Sequence, residues 1–430
     1  MRRWGVLLPA LLLASTAVQA GPAQEAESGP MDCPASVGPD TRCSVTKDAH
    51  GAWVVTAMPA NWNRRLIVHA HGGPRTGTPQ AADSLEDLDR FSVMVRQGYA
   101  WTGSTYRRGG YGVRMAAEDT ETSRALFWRQ FGRPERTILH GQSWGGNVAA
   151  KASELYALDV EGRPVYDGVI LTNGVLSGGT QAYGFRADLR AVYQFYCRNH
   201  PGPADAPYPV WQGLPLNSDL TRPGLRERIA ACTGIDRPVP ERTQRQAASL
   251  RDILNVTGIQ EDQLVSHLTW ATFLFQDLVQ RRLGGFNPFD NSGTVYTGSS
   301  DDEALNAGVE RFSADPDAVA RLAFDADLSG LIVVPTITLH ALHDPVVSFS
   351  AEDDFRRTVR AAGRGHLLLQ IATDEREHSK LDDGGYLAVL AGLETWIQTG
   401  DRPTAEDIGA LCERFEAIPD GCRQVSAPAD

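Results

Sequence analysis

Basic residues are in short supply in this chain of 430 residues: 41 lysines and arginines stand against 53 acids, a formal net charge of −12. A nucleic-acid partner needs a positive face, and this balance excludes one. Long apolar runs are missing as well. The run Val6–Leu13 is too short to cross a bilayer, which argues against stable membrane insertion. Arg2 and Arg3 precede it and Val18-Gln19-Ala20 follows it, so residues 1–20 read as a secretory signal with a small-x-small cleavage site. No cysteine follows that site, which argues against a lipid anchor, and the expected location is secreted or periplasmic. Neither Cys-x-x-Cys nor a paired His–Cys spacing occurs, so no zinc centre is expected. Internal repeats and low-complexity blocks are also lacking.

What is present is a globular composition, 42% hydrophobic and 22% charged, enough for a large core in one or two domains. Six cysteines in an exported chain point to disulfides. Short loop closure favours Cys33 with Cys43, Cys197 with Cys232 and Cys412 with Cys422, although spacing alone leaves other pairings open.

The most informative stretch is Thr137-Ile138-Leu139-His140-Gly141-Gln142-Ser143-Trp144-Gly145-Gly146. Four residues of strand character run into Gly-x-Ser-x-Gly, and Asn147 to Tyr156 continue as a helix. This is the context of a nucleophile elbow, in which glycines let the chain turn sharply enough to hold a serine clear of the sheet. Upstream, the apolar run Arg65 to Ala70 ends in His71-Gly72-Gly73-Pro74, where a backbone N–H of Gly72 or Gly73 is free to approach a substrate oxygen. His69 and His71 share a strand face, but no third ligand at matching spacing accompanies them, so neither a metal nor a cofactor is expected.

Taken in order, residues 21–32 read as a flexible N-terminus and residues 33–175 as alternating strands and helices, implying a mostly parallel sheet covered on both faces. Alternation stops after Asn173-Gly174. Residues 176–325 carry helical patterns, notably Glu261 to Leu283, and read as an inserted, mainly helical cap. The sheet resumes at Leu331 to Ala341 and His366 to Ile371, so residues 326–430 read as the second part of the core with a disulfide-bonded tail.

Serine needs a base within hydrogen-bond reach and an acid to orient that base. Ser143, Asp344 and His378 occur in the order serine, acid, histidine, each after a strand. Asp374 and Asp327 are alternative acids, and His366 is an alternative base. Together these motifs resemble the α/β-hydrolase superfamily over nearly all of the mature chain. Pro59-x-Asn61-Trp62-Asn63 and Trp396-Ile397-x-Thr399-Gly400-x-x-Pro403 resemble secreted bacterial esterases of the tannase and feruloyl-esterase kind. The His71-Gly72-Gly73-Pro74 and Gly141-x-Ser143-Trp144-Gly145 motifs also resemble proline iminopeptidase-type hydrolases. One departure is Glu377, where many relatives carry a glycine before the histidine. The resemblance implies catalysis by Ser143, Asp344 and His378, with backbone donors at Gly72, Gly73 and Trp144, on a small-molecule or polymeric ester. An aminopeptidase is the alternative, with Asp301, Asp302 and Glu303 as candidate amine ligands; a non-catalytic binding protein is a third reading. Arg107 and Arg108 are candidates for pairing with a substrate carboxylate.

Overall fold

The computed structural model describes residues 28–415 and 421–425, so the expected signal segment and most of the expected flexible N-terminus lie outside the described residues. One ten-stranded sheet organises the chain, in the order β1-β2-β3-β5-β4-β6-β7-β8-β9-β10. The strands are β1 Ser28–Met31, β2 Arg42–Lys47, β3 Trp53–Met58, β4 Arg65–Ala70, β5 Ala100–Ser104, β6 Arg136–Gln142, β7 Gly168–Thr172, β8 Thr336–Ala341, β9 Leu368–Thr373 and β10 Gln424–Val425. From β5 through β9 every neighbour is parallel, whereas β1, β2, β3 and β10 join antiparallel at the margins.

Side-chain alternation explains why both faces are covered. On β4, Leu66, Val68 and Ala70 enter a core with the helix Val113–Phe131, while Ile67 enters the opposite core with Phe91 and Tyr386. The helices are bounded by local chemistry. Gly132 stops Val113–Phe131 at φ +82, and Asp382 caps Asp383–Thr399 by accepting from the Gly385 N–H.

Between β7 and β8, strands that pair directly, the chain makes a long excursion through helices that include Gly178–Cys197, Arg222–Thr233, Gln244–Thr257 and Pro316–Ala326. The stretch expected as a single helix over Glu261 to Leu283 is α-helical only for Leu264–Thr269. It then widens into π-turns from Trp270 to Arg282, ending with the Leu283 N–H donating to the Leu278 carbonyl at 2.9 Å.

Three other expectations are corrected. Within the stretch expected to be flexible, Ser28 to Met31 form a strand, because they pair antiparallel with Cys43 to Thr46 and backbone bonds to a neighbour compensate for a weak sequence. The strand expected over Leu331 to Ala341 starts only at Thr336, since Pro335 immediately before it offers no ladder donor. His366 lies in an exposed turn ahead of β9 and not inside a strand.

All three local disulfides are formed, with Cα–Cα separations of 5.3, 5.5 and 5.6 Å. Cys197–Cys232 joins the ends of two helices of the excursion across 35 residues. Replacing both cysteines by serine should lower stability by about 2–4 kcal/mol. Unfolding monitored by calorimetry in parallel with the parent protein checks this, and an unchanged melting temperature would remove the bridge from any account of stability.

Candidate active site

The turn after β6 is forced into shape by three glycines. A Cβ at Gly141 would lie 2.2 Å from the Gly145 carbonyl oxygen, one at Gly145 would lie 2.2 Å from the Ala70 oxygen, and one at Gly146 would meet the Gly174 Cα at 2.7 Å. Ser143 sits between them at φ +60 and ψ −127, a conformation that non-glycine residues rarely adopt and that tends to mark working sites. Its N–H donates to the Thr172 carbonyl on β7 at 2.9 Å, which anchors the turn to the sheet.

His378, on the loop after β9, places Nε2 2.7 Å from Ser143 Oγ. Its Nδ1 lies 3.0 and 2.8 Å from the two carboxylate oxygens of Asp344, on the turn after β8. Asp344 is buried, and its Oδ1 also accepts from the N–H groups of Val346 and Val347 at 2.7 and 2.9 Å. The alternative acids are elsewhere. Asp327 receives the Thr180 N–H and hydroxyl, and exposed Asp374 faces His343 at 3.4 Å.

Gly72 abuts the same centre. A Cβ there would lie 2.8 Å from Gln142 Oε1 and 3.6 Å from Ser143 Cβ, so only glycine leaves the space open, whereas Gly73 has open space around it. Trp144 is the first residue of the helix Trp144–Tyr156, where a backbone N–H has no acceptor within its own helix. Behind this loop, His71 is fixed from three sides. Its Nδ1 is bound to Asp87, its Nε2 accepts from Arg75 Nε at 2.8 Å, and its carbonyl accepts from the Tyr106 hydroxyl at 2.9 Å. Burial pushes the Asp87 carboxyl up, but the charges of His71, His69 and Arg90 outweigh it and keep the pKa below the usual range. His69 faces His140 at 3.0 Å, and burial lowers its pKa to about 4.

Two side chains that the sequence did not single out hold the His378 backbone. Gln142, inside the Gly-x-Ser-x-Gly motif, donates to the His378 carbonyl at 2.7 Å. Asn173 donates to the same oxygen at 2.9 Å and to that of Glu377 at 3.1 Å, while its Oδ1 accepts from the Ala341 N–H on β8. The Asn173-Gly174 pair was the available signal, although it reads simply as a turn. Replacing either amide by alanine should lower kcat by up to about 100-fold through misplacement of the imidazole, with KM far less affected. Steady-state kinetics check it, and an unchanged kcat in the double variant would show that the clamp is dispensable.

The loop carrying His378 is bracketed by two further acids, Glu375 and Asp382. Glu375 accepts from the Thr373 hydroxyl and the Asp382 N–H, and burial together with the nearby Asp382 charge pushes its pKa up to about 7. An acid raised on folding holds a proton that the unfolded chain has lost, so it should make stability fall as pH climbs between about 4.5 and about 7. Glu375→Gln should flatten that fall, measured as the melting temperature across the interval. An unchanged slope in the variant would refute the assignment.

Other expected ligands are engaged structurally. Arg107 is held by Asp119 and by Glu118 at 2.9 Å, whereas Arg108 donates to the Tyr111 carbonyl at 2.9 Å and has no carboxylate partner among the described residues. Asp301 caps the helix Asp302–Gly308, Asp302 accepts from the Ser299 N–H at 2.8 Å, and Glu303 is exposed. Asp48, His50 and Asp119 gather within 4.8 Å as a conceivable cation site, but Arg107 already occupies both Asp119 oxygens.

A sharp turn carrying serine at the end of a central parallel strand, an acid after β8 and a histidine after β9 decide the architecture. The fold is that of the α/β hydrolases. Its sheet is mostly parallel, with helices on both faces. No family model matches the chain, and no curated protein matches it. Among solved structures, it is similar to an esterase from Aspergillus oryzae at 15% identity and a TM-score of 0.46, covering 89% of this chain and 88% of that one. Candida antarctica lipase A aligns at 11% identity and a TM-score of 0.46, over 95% of both chains. Feruloyl esterase B from Aspergillus oryzae aligns at 11% identity and a TM-score of 0.38, over 84% of this chain and 82% of that one.

Proposed function

We propose that the chain is an exported serine hydrolase that cleaves carboxylic esters through an acyl-enzyme. The observation that carries the reading is the single imidazole of His378 lying within hydrogen-bond distance of Ser143 Oγ on one side and Asp344 on the other. His378 takes the Ser143 proton as Oγ attacks the ester carbonyl, and Asp344 holds the Nδ1–H tautomer and balances the imidazolium. The backbone N–H groups of Trp144 and of Gly72 or Gly73 receive the oxyanion, which develops next to the one glycine whose missing side chain leaves room. His378 then gives its proton to the leaving alcohol, and water repeats the sequence to release the acid. None of these steps draws on a metal or cofactor. Residues 176–325 act as the cap that selects the substrate in this proposal, and a cleft of about 360 Å³ beside Pro74, Tyr106 and Arg108 borders the oxyanion loop.

An ester is preferred over an aminoacyl substrate because the three acids nominated as amine ligands are taken up by helix capping and solvent. Comparison of kcat/KM for p-nitrophenyl acyl esters with that for aminoacyl p-nitroanilides tests this choice. Faster turnover of the anilides would transfer the assignment to an aminopeptidase, and failure of Ser143 to react with a fluorophosphonate would favour a non-catalytic binding protein.

A further inference from the structure

Buried polar atoms nearly always find partners, so a run of them without any points to something that binds there. Among the described residues, Arg186 Nε and both ring nitrogens of His267 are buried without a hydrogen bond, and beside them the hydroxyls of Tyr111 and Tyr183 and Trp144 Nε1 find no partners but one another. These atoms lie on one strip. Tyr111 is 6.2 Å from Trp144, Tyr183 is 5.5 Å from Tyr111, and Trp270 stacks on Tyr183 at 5.6 Å. The Arg186 guanidinium lies over Trp270 at 5.0 Å, and His267 packs on Phe185, the neighbour of Arg186, at 5.5 Å.

The strip runs from one side of the Ser–His–Asp arrangement to the other. Trp144 follows Ser143 directly. At the far end, Arg186 Nη2 is 3.4 Å from the carbonyl of Val346, whose own N–H binds Asp344, and Gln263, one turn before His267, donates to the Asp344 carbonyl at 2.8 Å.

Arg186 is 4% exposed and forms no direct ion pair among the described residues, the nearby Asp344 charge acting on it only at a distance; its one good hydrogen bond is to the Ala182 carbonyl at 2.6 Å. Arg190, one helical turn on, shows how this fold treats a purely structural buried guanidinium. Its Nε is unpartnered like that of Arg186, but its two terminal nitrogens donate to the oxygens of Ala271, Thr272, His200 and Gly213. A buried cation left without comparable partners is costly unless a ligand brings the opposite charge. Burial lowers the Arg186 pKa to about 10, which still leaves it charged at neutral pH, and burial followed by the Arg186 charge keeps His267 neutral, with one N–H to give.

We propose that this strip is a subsite for a carboxylate, gripped by Arg186 and His267, and that the substrates are esters of acid-bearing molecules. The proposal deepens the ester-hydrolase reading and rests on it. A planar guanidinium matches a carboxylate in charge and shape, and the neutral imidazole of His267 adds a donor beside it. The carboxylate belongs either to the acyl part or to the leaving alcohol.

Two pairs of probes separate those sources: mono-4-nitrophenyl succinate against its methyl ester for the acyl side, and 4-acetoxybenzoate against 4-acetoxybenzamide for the alcohol side. In the unmodified mature protein, one pair should show a preference of about tenfold or more in kcat/KM for the charged member. That ratio should collapse towards unity in Arg186→Met and be reduced in Arg186→Lys, which keeps the charge and loses the fork. No preference in either pair overturns the proposal, and so does a preference that both variants retain. If neither variant folds, competitive inhibition of the parent by succinate or benzoate, set against the corresponding amides, decides: equal inhibition by acid and amide overturns the proposal. Fluorophosphonate labelling of Ser143 distinguishes the failures. A labelled protein without charge preference loses the subsite alone, whereas an unlabelled and inactive one loses the hydrolase reading.

Discussion

Ser143→Ala should leave a folded protein whose ester hydrolysis is slower by about 10⁶ in kcat. The fold should survive because alanine meets the same backbone conformation, φ +60 and ψ −127, that serine already tolerates there, and the glycines that shape the turn are untouched. Chemistry should fail because His378 Nε2, 2.7 Å from the serine oxygen, loses the only group it is placed to activate. Gly72 and Trp144 still offer their N–H groups, so a residual rate above that in water is expected from oxyanion binding alone. Thermal unfolding, fluorophosphonate labelling and kcat on one ester should be measured together. Normal melting with lost labelling and lost turnover is the expected pattern, and near-parent turnover would end the assignment of Ser143.

Asp344→Asn should cost about 10⁴ in kcat at neutral pH while changing little else. The Val346 and Val347 N–H groups, which now bind Asp344 Oδ1, would retain the asparagine carbonyl oxygen as acceptor, leaving its amide to face His378 Nδ1. An amide N–H opposite Nδ1 favours the tautomer with its proton on Nε2, and that tautomer cannot accept the serine proton. The change is therefore in proton placement and not in shape. A loss of less than tenfold would mean that another carboxylate serves the base, yet Asp327 and Asp374 are occupied or exposed elsewhere.

The elbow was legible because its chemistry is local: glycine at 141, 145 and 146 is required within a few residues of the serine that it positions. Cysteine pairing was legible for a similar reason, since the shortest loops are the ones closed. The serine, acid and histidine order exposed Asp344 and His378, but only the fold separates them from Asp374, Asp327 and His366. The amide clamp was not legible. Gln142 and Asn173 meet carbonyls more than 200 positions away, and a backbone oxygen leaves no trace in residue type. Nor was β1, whose glycine and proline deny it strand propensity and whose pairing depends on a neighbour. Arg186 was hidden for the opposite reason, since an arginine on a helix ordinarily reads as a solvated face until burial is known.

The disulfides at the two margins of the sheet bear on what happens to the protein before it is folded and after it is damaged. Cys33–Cys43 holds the chain just beyond β1 to β2, and Cys412–Cys422 holds the segment leading into β10 to the helix Ala405–Glu413 that packs beside β9. Each covalent link thus fastens a short antiparallel cover over a longer strand whose outer N–H and C=O groups would otherwise be open. An open edge is a template for another chain, and a sheet this wide has two of them. Under reducing conditions the first consequence is therefore expected at the level of colloidal behaviour: sheet margins that recruit one another, and protein lost to aggregation while the Ser–His–Asp centre in the middle of the sheet is still intact.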